Sequence, residues 1–167
     1  MSLKKTLLLL CAVALLTLPI VASAATDNQT LIINASVLAR AKLVLAPSVI
    51  NFSDADPDVT PSIAAAENSV NVISTVRTSS AGAVTLTCQA AGDLLSGADV
   101  IAISNVTWTA GGAGYVAGTM NSAAPQAVGS WTGSGAYVGT NDFFLANSWA
   151  YNIGAYTQTV TYTLTAP

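Results

Sequence analysis

From Leu31 to the C-terminus, apolar and polar residues alternate in short runs separated by Gly, Pro, Asn and Asp. A period of two puts successive side chains on opposite faces of a strand, so the pattern predicts β structure throughout. The closing run is the clearest. Tyr156, Gln158, Val160, Tyr162 and Leu164 share one face, and Thr157, Thr159, Thr161, Thr163 and Thr165 share the other. Threonine is β-prone and soluble without charge, so the first face is the one to be covered. Val70 to Arg77 and Val84 to Ala90 read as further strands, joined by a turn at Ser79-Ser80-Ala81-Gly82. Lys42 to Leu45 and Val49 to Phe52 read as two strand halves around Pro47, which suits a bend or a sheet edge. Asp54 to Pro61 is a loop, and Ile63 to Glu67, with three alanines, predicts one helical turn. Val100 to Thr109 predicts a strand bulged near Ser104, and Phe143 to Tyr151 a strand or a covering loop. About seven or eight short strands with no helical period define an all-β chain, read here as an immunoglobulin-like β-sandwich.

The centre is glycine-rich and echoes itself. Trp108 to Thr119 (WTAGGAGYVAGT) and Trp131 to Thr140 (WTGSGAYVGT) predict two similar hairpins. Two copies are too few for a solenoid.

Residues 1–24 have the form of a secretory signal: Lys4 and Lys5, an apolar core from Leu7 to Ile20, and the small-x-small site Ala22-Ser23-Ala24. The apolar run is too short to span a bilayer comfortably. Cys11 follows Leu10 where a lipoprotein site wants a small residue, so lipidation is not expected. Cleavage leaves 143 of the 167 residues, one domain by length. The expected division is 1–24 signal peptide, 25–38 N-terminal strand and 39–167 sandwich domain.

The mature chain keeps Arg40, Lys42 and Arg77 against eight acids, a net charge of −5. Such a surface does not suit nucleic acid or anionic lipid, and no second apolar run suggests membrane insertion. Its polar surface is Thr, Ser, Asn and Gln. Cys88 is the only cysteine left, so no internal disulfide forms. It shares a strand face with Val84 and Leu86 and reads as a small buried hydrophobe that alkylating reagents should not reach.

Histidine is absent, which removes Ser-His-Asp and Cys-His catalysis and histidine metal ligands. No phosphate-binding glycine motif occurs. Asp54-Ala55-Asp56-Pro57-Asp58 is the one acidic cluster, but an EF-hand would need glycine at Val59 and glutamate at Ala65. Neither an enzyme nor a cofactor is expected. Trp108, Trp131 and Trp149, with Tyr115, Tyr137 and Tyr151, could stack a sugar, although such residues are more often core. Asn34, Asn51 and Asn105 stand in N-x-[ST] patterns.

The first mature strand carries the sharpest signal. Leu31, Ile33, Ala35 and Val37 alternate with polar residues, broken only by Ile32, after the polar lead-in Ala25 to Thr30. A strand at that place can stay in its own fold or complete another molecule's sheet. The segment Leu31-x-Ile33-Asn34-Ala35-Ser36-Val37 resembles the donor strand of class 5 (α-type) fimbrial major pilins of the alternate chaperone–usher pathway, or of a related donor-strand-exchange pilin. Ile103 to Trp108 is similar to a mid-chain strand of those pilins. Gly154 to Leu164, a Gly-x-Tyr opening followed by alternation, resembles their closing strand.

That resemblance implies an incomplete immunoglobulin-like sandwich completed by a neighbour's strand, with no disulfide. Leu31, Ile33, Ala35 and Val37 would be the donor side chains, and Val160, Tyr162 and Leu164 would line the acceptor groove. It also implies identical or related subunits as partners, a periplasmic chaperone and outer-membrane usher in transit, and an extracellular fimbria that supports adhesion or biofilm formation. The other class of function is a monomeric secreted β-sandwich that holds a carbohydrate on its surface aromatics.

Overall fold

In the computed structural model, which describes residues 25–167, buried and exposed side chains alternate through the strands much as the sequence pattern requires. The proposed leader, with Lys4, Lys5 and Cys11, lies outside the described residues. Residues 25–35 and 36–167 separate as two units. Residues 25–35 form no strand, and Leu31 and Ile33 are each 83% exposed.

The larger unit is an all-β antiparallel sandwich. One sheet contains β1 (Arg40–Ala46), β3 (Val70–Arg77), β10 (Gly135–Ala146), β7 (Val106–Gly111) and β8 (Gly118–Thr119), in that order, with β2 (Ser62–Ala64) also on β10. The other contains β11 (Val160–Thr165), β4 (Ala83–Ala90) and β9 (Gln126–Thr132). A small hairpin joins β5 (Leu94–Ser96) to β6 (Asp99–Ile101).

The core lies between the two main sheets. Val72 on β3, Trp108 on β7 and Phe143 on β10 meet Leu86 and Cys88 on β4 and Val128 on β9. Each is the alternate, inward residue of its strand, so the period of two is what places it. Asn141 is fully buried on β10, and its Nδ2 donates to the Tyr162 hydroxyl on β11 at 3.1 Å, tying the two sheets together.

Several expectations fail locally. Ile63 to Glu67 is not a helical turn: Ser62–Ala64 pairs with β10, because burying Ile63 and Ala65 outweighs the weak helix preference of three alanines. Val49 to Phe52 is not a strand. Asn51 is held there by Glu67, whose carboxylate accepts from both its backbone N–H and its side-chain amide at 2.6 Å. The break near Ser104 is a 3₁₀ turn, Ile103–Asn105, and not a bulge. The closing strand begins at Val160, four residues later than the alternation suggests. Thr157 instead bridges Leu95.

The glycine-rich echoes differ from each other. Trp108 to Thr119 folds back on itself, with Trp108 opposite Gly118. Trp131 to Thr140 is no hairpin but a corner, because β9 belongs to one sheet and β10 to the other. The glycines make room for rings. A Cβ on Gly118 would fall inside the Trp108 ring, and one on Gly139 inside Tyr115.

Candidate functional site

Among the described residues, the sheets leave two pairs of edges that lie near each other without a ladder: β8 with β9, where the Tyr115–Gly129 bridge covers the β9 edge, and β1 with β11, a seam with no such bridge. β1 ends one sheet and β11 ends the other. Among the described residues, β1 pairs with β3 alone and β11 with β4 alone. Some of their Cα atoms approach within 8 Å. Each strand therefore offers one free row of backbone N–H and C=O groups.

The side chains at this seam are apolar and only partly covered. On β11, Val160, Tyr162 and Leu164 point inward and are half-buried, while Thr161, Thr163 and Thr165 are exposed. Their ladder partners on β4 are Ala90, Cys88 and Leu86, all buried. On β1, Leu43 and Leu45 are half-buried opposite Ser74 and Val72. The apolar row is buried one strand inward and only partly covered at the edge.

Beneath the seam the chemistry is inert. Burial pushes the Cys88 thiol up to about 11, and its Sγ lies 4.0 Å from Met120 Sδ. Burial also raises the Tyr162 hydroxyl, with Cys88 adding to the effect and the hydrogen bond from Asn141 opposing it. Neither group is ionised at neutral pH, so the seam is uncharged.

The structure brings Val160, Tyr162 and Leu164 onto one face of one edge strand. Leu31, Ile33, Ala35 and Val37 are exposed and lie in no strand. The sequence reading missed Leu43 and Leu45 as the facing wall, although their alternation with Lys42 and Val44 carried the signal. It also missed Asn141, which no pattern marks.

The aromatics form no single platform. Trp108 is buried, and its Nε1 donates to the Val116 carbonyl at 2.9 Å. Trp131 stacks on Tyr137 at 4.7 Å and takes Tyr115 edge-on at 4.8 Å. Only Trp149 and Tyr151 of the six line an open cavity, of about 800 Å³, between segments 52–57 and 147–156. Its floor includes Phe52, Ile63 and Leu145, and Asp54 and Asp56 line it too. Among the described residues, no cluster of acids, cysteines or histidines could hold a metal ion. No helix there is long and apolar enough to cross a membrane.

No protein-family model matches the chain, and no curated protein matches it significantly.

Proposed function

We propose that the chain is a structural subunit of an extracellular fibre of the fimbrial type, assembled by donation of an N-terminal strand. Residues 31–37 of one copy would fill the seam of the next, with Leu31, Ile33, Ala35 and Val37 facing Val160, Tyr162 and Leu164. The observation that supports this reading is the seam itself: two strand edges without a ladder partner, flanking partly covered apolar side chains.

An added strand would satisfy both needs at once, giving ladder partners to the backbone and cover to the core. Burying three large donor side chains and an alanine contributes roughly 5–8 kcal/mol at about 1.5–3 kcal/mol per large side chain. Repeats of two along the donor match repeats of two along β11. Folding back would be difficult. Only Leu38 and Ala39 separate Val37 from β1, and two-residue hairpins want Gly, Asn or Asp there. A bare edge of this kind invites aggregation, so a periplasmic chaperone and an outer-membrane usher fit the reading as partners in transit.

The test is a mature chain lacking residues 25–38. It should not polymerise, yet should bind a peptide of residues 25–38. Fibres formed by the shortened protein would refute the proposal.

A further inference from the structure

Charge is scarce in residues 36–167, and it is sorted by position. Strand register fixes two ends of the sandwich. At one end, Arg40 opens β1 opposite Arg77, the last residue of β3, and Lys42 follows opposite Thr75. These are all the bases of this unit. β11 finishes at the same end, where Thr165 pairs with Thr85 and Thr78 Oγ1 hydrogen-bonds the Pro167 carbonyl. At the other end, β1 finishes at Ala46, β4 at Ala90 and β10 at Ala146, and β11 begins at Val160.

The acids collect there. Asp54, Asp56 and Asp58 lie in a loop tied to the end of β10, because Asn147 Nδ2 donates to the carbonyls of Ala55 and Thr60 at 2.9 and 3.0 Å. Glu67 precedes β3, and Asp93 follows β4. Asp99 accepts from Asn152 Nδ2 at 2.6 Å on the 147–156 segment. Asp142 is the exception: it lies within the sheet, opposite Thr109 of β7. The acidic end also holds the open cavity and exposes Trp149 (71%) and Ile153 (99%). An apolar patch inside an acidic rim is a surface suited to a basic, partly apolar cover.

We propose that copies stack end to end, the basic end of one seated on the acidic, cavity-bearing end of the next. This rests on the donor-strand reading and gives it a direction. β11 runs from the acidic end to the basic end. A donor antiparallel to it runs the other way, parallel to β1, and leaves the groove at the acidic end. Val37 is then followed by Leu38, Ala39 and the donor's own Arg40, so its basic end arrives at the acceptor's acidic end. The Leu38 carbonyl accepts from Arg77 Nε at 2.8 Å, and the Leu38 side chain is 70% exposed, which brings an apolar group to the cavity mouth. A parallel donor would instead set basic end against basic end, where like charges repel. Either orientation pairs antiparallel with one edge of the seam and parallel with the other, so charge is what selects this arrangement.

The test uses the mature chain diluted from denaturant, with assembly followed by light scattering and binding of the 25–38 peptide measured on the same variants. Arg40→Glu with Arg77→Glu, and separately Asp54→Lys with Asp56→Lys, should each slow assembly about tenfold or more at low ionic strength. An equimolar mixture of the two variants should regain the wild-type rate, because each then offers the other a complementary end. High salt should erase the wild-type advantage. Peptide binding should be unchanged in the Asp54→Lys with Asp56→Lys variant, whose changes lie outside the groove, which separates end docking from groove filling and reports folding. Charge-reversed variants that assemble at the wild-type rate while still binding peptide would overturn end docking and leave the donor reading standing. Failure of the wild-type chain to bind peptide would remove both. Charge-independent assembly with Trp149-dependent retention on a glycan array would assign the acidic end to a saccharide and overturn the proposal.

Discussion

Leu164 and Leu86 face each other across the β11–β4 ladder, yet Leu86 is fully buried and Leu164 only half-buried. The pair separates the fold of the subunit from its assembly. Truncating a fully buried leucine to alanine costs about 2–5 kcal/mol, the sum of lost transfer energy and the cavity left behind. Leu86→Ala should therefore destabilise the isolated subunit by that amount. It should leave affinity for the 25–38 peptide within about threefold, because Leu86 is already covered. Leu164→Ala removes the same three carbons from a site still partly open to water, so the isolated subunit should lose less, about 1–2 kcal/mol. The rest of its burial would come from the donor strand. The exposed part, about a third of the side chain at most, corresponds to about 1 kcal/mol, or about a fivefold weaker peptide affinity. Urea unfolding of the mature monomer and fluorescence titration with labelled peptide measure the two quantities. If Leu164→Ala costs the monomer as much as Leu86→Ala does, or leaves peptide affinity untouched, the seam is not an acceptor groove.

Ile33→Asp, at a position 83% exposed, should move the monomer's unfolding midpoint little while abolishing assembly; a matching loss of monomer stability would contradict the donor role. Gly118→Ala drives a methyl group into the Trp108 ring and should cost about 1–3 kcal/mol with loss of near-ultraviolet dichroism; an unchanged melting curve would refute the close packing. Cys88 should resist iodoacetamide at neutral pH until the protein is unfolded, and rapid labelling of the native state would contradict its burial. The folded thiol titrates near 11 against an ordinary value of 9.0, so the folded state keeps its proton longer than the unfolded one. Its contribution is complete below pH 9 and is lost as pH rises through 11, with Tyr162 acting in the same direction. Denaturant midpoints of wild type and Cys88→Ala across that range should converge as pH rises.

The strands that cover the core were legible because their burial follows their pattern. Val70 to Arg77 alternates buried and less buried positions along β3, and Val84 to Ala90 lies within β4. The errors share one cause: short-range preference yields to long-range pairing. Three alanines favour a helix by tenths of a kcal/mol per residue, and one buried Ile63 on β10 outweighs them. The two tryptophan–glycine echoes look alike because both give space to a ring, yet sheet membership depends on partners far away in sequence. Val160, Tyr162 and Leu164 were visible as a face to be covered. That Leu43 and Leu45 stand across from them depends on β1 pairing with β3 on its other side, which no local window contains.

If the seam accepts a donor strand as proposed, it also accounts for the chain's charge economy. An acceptor face would have to stay apolar to receive Leu31, Ile33, Ala35 and Val37, and a charge buried there without a partner would cost several kcal/mol. The outward side of β11 is threonine, soluble without fields that would disturb the neighbouring edge. Apart from Asp142, the charges of residues 36–167 are left to the two ends, where the proposed stack would bring opposite charges together. Placing Lys at Val160 would remove partly buried apolar packing, about 1–2 kcal/mol, while the long stem lets the ammonium reach water, and it should block strand addition. A folded, moderately destabilised monomer that no longer binds peptide is the expected result for Val160→Lys. Retained binding would mean that the groove lies elsewhere.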